Sequence, residues 1–364
     1  MHTFERWRTT VADLGAVFVA AREQMSFGET GQRSGTATLA ESARELAPLL
    51  AELRPDVVVH DLFTLAPALA AERAGLKRAT LIPHPYPAAG AGIPPYTLGV
   101  LAPRTRLGAR IWRALTPAIG ANLPNTKLRA TRAALNNTRT ELGLAPLGHY
   151  DGQISPELAL VATFPQLEYP RRWPEHTHVV GPLPFALAHP DIDLPAGDEP
   201  LVAIASSTEC DPQLRLIETT LEALAQEPVR VVAAINRRGA SYDRPVPANA
   251  AVVDWLSYDQ ILPGAAAVIC HGGHGTVTRG LAAGVPVIVS PAAGEMAENG
   301  ARVAWSGCGL MVPNRLLGPL SLRLAVRRVL ADRRFAQRAG ELAAWERAHP
   351  GAQRAAGLVE ELAA

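Results

Sequence analysis

Short apolar runs alternate along the chain with longer segments of helical period. Val57-Val58-Val59-His60 follows Arg54-Pro55-Asp56 and reads as a buried strand. Leu62 to Gly75 reads as a helix with glycine as its stop signal, and Ala79–Ile82 as the next strand. Leu158–Ala162 and Val179-Val180 are further strands. The same rhythm returns after residue 200. Leu201–Ala205, Val229–Ile235, Ala251–Val253, Ala267–Cys270 and Val285–Val289 read as strands. Between them, Pro212–Gln226 places Leu214, Ile217, Leu221 and Leu224 on one helical face, and Thr276–Ala283 forms another helix. The chain ends in helix, from Leu320 to Leu330 and from Arg334 onward. Strand–helix–strand repetition needs crossover connections, so the pattern predicts an α/β fold with parallel sheets. A proline-rich stretch, Pro182–Pro200, has linker composition and divides two domains of similar size. A second proline- and glycine-rich stretch, Pro83–Pro103, interrupts the first domain; it reads as a functional loop or as a structural excursion.

The 364 residues suffice for two cores, and 48% hydrophobic with 19% charged residues is a globular balance. Basic and acidic residues number 35 and 34. That near-neutrality argues against nucleic acid or an anionic membrane as the main partner. Lys77 and Lys127 are the only lysines, a bias that reads as GC-rich codon usage rather than as anion binding. Three cysteines without C-x-x-C spacing exclude a disulfide framework and a zinc motif. No run of about 18 apolar residues is present, and the polar start Met1–Arg8 lacks a signal-peptide core. The cytoplasm is the expected location.

The densest chemistry lies in Cys270-His271-Gly272-Gly273-His274-Gly275-Thr276, directly after a strand and before a helix. Glycines let backbone amides approach a ligand, and a helix start favours phosphate oxygens. The plainer alternative is an ordinary glycine turn. Asp61 ends its strand at the entry to a helix, where it serves either as a cap or as a partner for a catalytic base. His84 is the one histidine outside the glycine turn that could border the same cleft, since His60 faces the opposite side of its strand. No carboxylate or cysteine pattern around these histidines supports a metal.

The stretch Trp255-Leu256-Ser257-Tyr258, Ile261-Leu262, His271–Thr276, Ala282-Ala283-Gly284-Val285-Pro286, Pro291, Gly294-Glu295-Met296 and Asn299 resembles the donor signature of the family 1 glycosyltransferases. These are sugar-nucleotide-dependent enzymes of plant and bacterial natural-product chemistry, macrolide glycosyltransferases among them. The resemblance implies a GT-B fold, two Rossmann-like parallel-sheet domains facing a cleft. Residues 1–182 would form the acceptor domain, 183–200 the linker, 201–345 the nucleotide-sugar domain, and 346–364 a terminal helix returning to the first domain. It implies an inverting transferase that moves a sugar from a dTDP- or UDP-sugar to a hydroxyl of a small apolar acceptor, with no cofactor and no metal.

By the same resemblance, Trp255 stacks on the base and Leu256 meets its edge. His271, Gly272, Gly273, Gly275 and Thr276 cradle the diphosphate, with Ser206 and Ser207 nearby. Glu295 binds sugar hydroxyls, and Asn299 opens the following helix. Pro83, Tyr86, Ile93 and Tyr96, with the region 107–123, would form acceptor walls. Arg279 stands where the family has a ribose-binding glutamate; a cation accepts no hydrogen bond, which favours a deoxyribose nucleotide. Met296 replaces a glutamine, with Glu298 as a substitute. Asp61 matches the aspartate that orients a catalytic histidine, but no histidine-bearing glycine loop precedes it. Met1–Trp7 resembles the family's second strand and Val17–Val19 the third. The N-terminal domain is therefore expected to be incomplete, with His84 as a surrogate base and an exposed apolar sheet edge. A nucleotide-sugar-binding protein without turnover is the alternative.

Overall fold

The computed structural model describes residues 1–21, 38–96, 98–122, 126–148, 153–185, 192–207, 211, 213–237, 239–292 and 294–364, without the side chains of 117–131, 294 and 295. The strands are β1 (His2–Thr3), β2 (Val19–Ala20), β3 (Val57–Asp61), β4 (Lys77–Ile82), β5 (Leu158–Val161), β6 (Thr177–Val179), β7 (Leu201–Ala205), β8 (Arg230–Ala234), β9 (Ala250–Val253), β10 (Ala265–Cys270), β11 (Val287–Val289) and β12 (Gly309–Met311). They form sheets of two strands (β1-β2), four strands (β3-β4-β5-β6) and six strands (β12-β11-β10-β7-β8-β9). Every pair is parallel.

The six-stranded sheet shows why its strands read as unbroken apolar runs. Helices cover both faces, so both sets of alternate side chains are buried. Val202 and Ile204 point toward Ile217, Leu221 and Leu224 of the helix Arg215–Leu224 and Leu322 and Val326 of the helix Pro319–Ala331. Leu201, Ala203 and Ala205 point toward Val277 and Leu281 of the helix His274–Ala282 and Leu342 of the helix Arg333–Ala348. The helix predicted from Pro212 begins at Arg215, because both carboxylate oxygens of Asp211 accept backbone N–H groups there (Arg215 at 2.9 Å, Leu216 at 3.0 Å). The strands predicted from Val57 to Val289 are present, and β12 (Gly309–Met311) was not predicted.

The N-terminal end is arranged differently from the expectation. Val17–Val19 was expected as the family's third strand, yet β2 begins at Val19 and pairs, among the described residues, with β1 alone in a sheet of its own. Among the described residues β3 is an edge strand, and Val59 on it is 48% exposed.

The two large sheets are joined by a shared apolar core. Phe164 and Leu167, just after β5, are buried in the same cluster as Leu256, Val277 and Leu342. Phe164 meets the Trp345 ring edge-on at 6.2 Å between centroids. The last helix, Gly351–Ala363, lays Ala355, Leu358, Val359 and Leu362 against Ala79, Leu158 and Leu160 of the four-stranded sheet. Arg354 donates to the Val180 carbonyl (2.9 Å) and Lys77 to the Leu362 carbonyl (2.8 Å). No helix among the described residues is long and apolar enough to cross a membrane.

Phe164 is fully buried where the two sheets share their core. Phe164→Ala should cost about 3–5 kcal/mol in denaturant unfolding, and a loss below about 1 kcal/mol would show that the joint core is not needed.

Candidate active site

In the six-stranded sheet the strand order reverses between β7 and β10, and the crevice beyond the carboxyl ends of such a pair is where open α/β sheets bind ligands. The glycine turn leaves β10 at this point. Gly272 has φ +91°, and a Cβ there would lie 2.7 Å from the Met296 carbonyl oxygen and 2.8 Å from Val289 Cγ1. No other residue fits. A Cβ on Gly273 would lie 2.5 Å from His271 Nε2, so the bare backbone lets the imidazole lie across the turn. His271 Nδ1 donates to the Ala205 carbonyl of β7 (3.3 Å), which leaves Nε2 facing the turn. Gly275 is exposed, with open space where a Cβ would stand. The helix His274–Ala282 then starts with its amides toward this space.

Several predicted donor residues have structural duties here. The Asn299 side chain, 2% exposed, donates to the Gly272 carbonyl (2.8 Å) and holds the turn from behind. Ser206 is buried and its hydroxyl donates to the Ala234 and Ile235 carbonyls (3.0 and 2.9 Å). Ser207 is buried beside it. Thr276 is buried with its hydroxyl 2.9 Å from the Tyr258 hydroxyl. Glu295 lies in the first turn of the helix Gly294–Ser306, and its side chain is outside the described residues. Glu298, expected as a substitute for the missing glutamine, is spent elsewhere: it is buried, accepts the Gly99 N–H (2.8 Å) and pairs with Arg302 (2.5 Å).

Trp255 and Leu256 line a cavity of about 240 Å³ with Tyr258, Arg279, Phe185 and Trp7. The Arg279 guanidinium lies 5.2 Å from the Tyr258 ring centroid and donates to the Phe185 carbonyl of the linker. Arg279 therefore takes part in the cavity wall. Trp7 and Phe185 meet edge-on at 6.4 Å. Neither was predicted, because no local pattern links residues 7, 185 and 255.

The opposite wall comes from the carboxyl ends of β3, β4 and β5. Asp61 Oδ1 accepts the Phe63 N–H (2.8 Å), the bond of a helix-entry turn, and burial pushes its carboxyl above the ordinary range. His60 is buried behind it; Nδ1 donates to the Asp61 carbonyl (3.0 Å) and Nε2 accepts from the Thr80 hydroxyl (2.9 Å). Burial lowers its pKa and keeps it neutral. His84 is buried with its ring 5.1 Å from Phe63 and 6.4 Å from Tyr96. Its Nδ1 lies 3.2 Å from the Pro85 carbonyl, the geometry of a donor, and Nε2 is then the basic nitrogen. Pro83 and Tyr96 are half-buried near this ring. Two other expected acceptor residues are structural. Tyr86 is buried against Trp173 (5.3 Å), and Ile93 against Ala102 and Tyr169. The helix Arg106–Asn122, in the region expected as an acceptor wall, turns Thr116 inward to the Ile93 carbonyl (3.4 Å) and leaves Leu107, Ile111 and Leu115 exposed.

His274 joins the two walls. Its Nε2 donates to the Ala162 carbonyl at the end of β5 (2.9 Å), and Nδ1 lies 3.1 Å from Asn299 Oδ1. Burial pushes its pKa down to about 4, against the upward pull of those two oxygens. Among the described residues no cluster of His, Cys, Asp and Glu is placed to hold a metal ion.

Residues 218–362 match the family described as erythromycin biosynthesis protein CIII-like, C-terminal domain. The chain is similar to 4'-demethylrebeccamycin synthase of Lentzea aerocolonigenes, 30% identical over 94% of this chain and 87% of that protein. The chain belongs to the natural-product glycosyltransferases. Its fold is the GT-B fold. The crystal structure of the glycosyltransferase of kitacinnamycin superposes with a TM-score of 0.77 at 23% identity, covering all of this chain and 91% of the other. That of the glycosyltransferase VinC in complex with dTDP gives 0.62 at 20% identity, covering 98% and 89%. This glycosyltransferase moves a sugar from a nucleotide sugar.

Because the folded-state pKa of His274 is depressed, the unfolded chain binds more protons below pH 6.5. Its contribution is then full above pH 6.5 and is lost as pH falls toward about 4. Unfolding free energy should fall by on the order of 3 kcal/mol over that window through this group. His274→Gln should flatten the difference, and identical pH profiles for the two proteins would refute the assignment.

Proposed function

We propose that this glycosyltransferase uses a dTDP-sugar and transfers the sugar, with inversion, to a hydroxyl of a small apolar acceptor. The observation that carries the nucleotide choice is Arg279. Its guanidinium lies in the wall of the Trp255 cavity, over Tyr258 and against the linker, where a ribose-binding carboxylate would be expected. A cation offers a 2′-hydroxyl no acceptor, and deoxyribose asks for none there. The presence of dTDP in the VinC structure supports this reading.

In this reading Trp255 stacks on thymine and the Leu256 backbone meets its edge. His271 Nε2, the amides of Gly273 and Gly275 and the helix start hold the diphosphate, and Glu295 receives sugar hydroxyls. Asn299 and Ser206 act behind the turn as positioning residues. The acceptor enters between Pro83, Tyr96 and Phe63. Its hydroxyl loses a proton to the Asp61–His84 side of the cleft, attacks the anomeric carbon, and the C–O bond to the nucleotide diphosphate breaks. The cradle meets the negative charge that develops on the departing phosphate, so no metal is needed for that step.

Calorimetric titration tests the donor site. dTDP should bind more tightly than UDP, and His271→Ala should weaken dTDP at least about tenfold through loss of a charge-assisted contact. A UDP preference would overturn the nucleotide assignment, and unchanged dTDP affinity in the variant would overturn the cradle. The proton-accepting side is tested separately by steady-state kinetics. Asp61→Asn and His84→Gln should keep dTDP affinity, and at least one should lower kcat by about 10²–10⁴-fold. Full turnover in both would exclude this side of the cleft as the base.

A further inference from the structure

The overall charge of +1 hides a strong segregation. Between Glu72 and Glu141 the chain carries eleven Lys and Arg residues and no Asp or Glu. Several of these cations have partners: Arg78 and Arg139 pair with Glu72, and Arg104 donates to the Trp305 carbonyl. Arg106, Arg110 and Arg113 are different. They stand exposed on the helix Arg106–Asn122, with no carboxylate bonded to them among the described residues.

The same helix bears an apolar stripe. Leu107, Ile111 and Leu115 recur at four-residue spacing and are 67%, 49% and 45% exposed. Val100 and Leu101, just ahead of the helix, are exposed as well. The opposite side is the half-buried, packed one: Thr116 donates to the Trp112 and Ile93 carbonyls, and Ala109 lies under Gly92. At 3.6 residues per turn the three arginines fall together along one border of the leucine–isoleucine stripe. An outward apolar stripe bordered by arginine is the composition of a helix that lies in a membrane interface.

We propose that this helix docks the glycosyltransferase on an anionic lipid surface, with Leu107, Ile111 and Leu115 in the headgroup–acyl boundary and Arg106, Arg110 and Arg113 on lipid phosphates. The charge complementarity is local, so the balanced total is no argument against it. An exposed helix face whose arginines bond no carboxylate among the described residues fits a fluid anionic interface, whereas a protein partner must supply matched shape and paired charges. Docking of this kind would bring the Pro83–Pro103 loop, which leads directly into the helix, to the surface of the bilayer, where apolar acceptors concentrate.

Co-sedimentation of the full chain with sucrose-loaded vesicles tests this. The protein should pellet with phosphatidylcholine vesicles containing about one-third phosphatidylglycerol and stay in solution with phosphatidylcholine alone. About 0.5 M salt should release it. Arg106→Ala, Arg110→Ala and Arg113→Ala should each weaken partitioning about fivefold, and Ile111→Glu should abolish it while thermal unfolding and dTDP affinity stay unchanged. The proposal is overturned if the wild type ignores anionic vesicles, or if Ile111→Glu and the triple arginine variant still pellet. A dimer that Ile111→Glu dissolves, without vesicle binding, would overturn it too and make the stripe a contact between two copies.

Discussion

The turn between β10 and its helix is held from three sides, and the cleft depends on that restraint. His271 reaches the end of β7, Asn299 holds the Gly272 carbonyl, and His274 reaches the Ala162 carbonyl in the other domain. A left-handed glycine at 272 is what allows all three contacts, because any side chain there would collide with Met296 and Val289. The amides that face the crevice are therefore set in place by neighbours on both sheets before any ligand arrives. Preorganised donors of this kind stabilise developing charge without reorganising during the reaction.

A second restraint works through buried charge. Arg302 is 2% exposed and lies 4.3 Å from the Tyr169 ring centroid, bonded to Glu298. Glu298 also receives the Gly99 N–H, and Glu168 receives that of Tyr86. Burial raises the pKa of Glu168, and the nearby Arg302 opposes the rise. Removing one member of such a group leaves an uncompensated charge, which is costly. The group ties the loop after β4 to the helix Gly294–Ser306, so the walls of the two half-sites are bonded to each other here.

Much of the site was legible because its constraints are local. A strand, a glycine turn and a helix start are adjacent in sequence, and phosphate chemistry at such a turn follows from backbone geometry alone. Asp61 was legible for the same reason, as the last residue of a strand. Tyr86 and Ile93 misled because a loop rich in proline and glycine looks solvent-facing, while tertiary packing against Trp173 and Tyr169 buried both. Ser206 and Asn299 sit where the resemblance places them, yet their polar atoms serve the backbone.

By itself the sequence determined the parallel α/β class, the presence of two domains and the glycine turn between a strand and a helix, since each depends on short-range periodicity and glycine conformation. Only the tertiary structure decided what the long-range neighbours do. Trp7, Phe185 and Arg279 meet in one cavity although they are far apart in the chain. His274 became an interdomain strut through a carbonyl 112 residues away. The exposed stripe of the helix Arg106–Asn122 shows the same division: its amphipathic spacing is in the sequence, but which face packs and which meets solvent depends on where Gly92 and Ile93 lie.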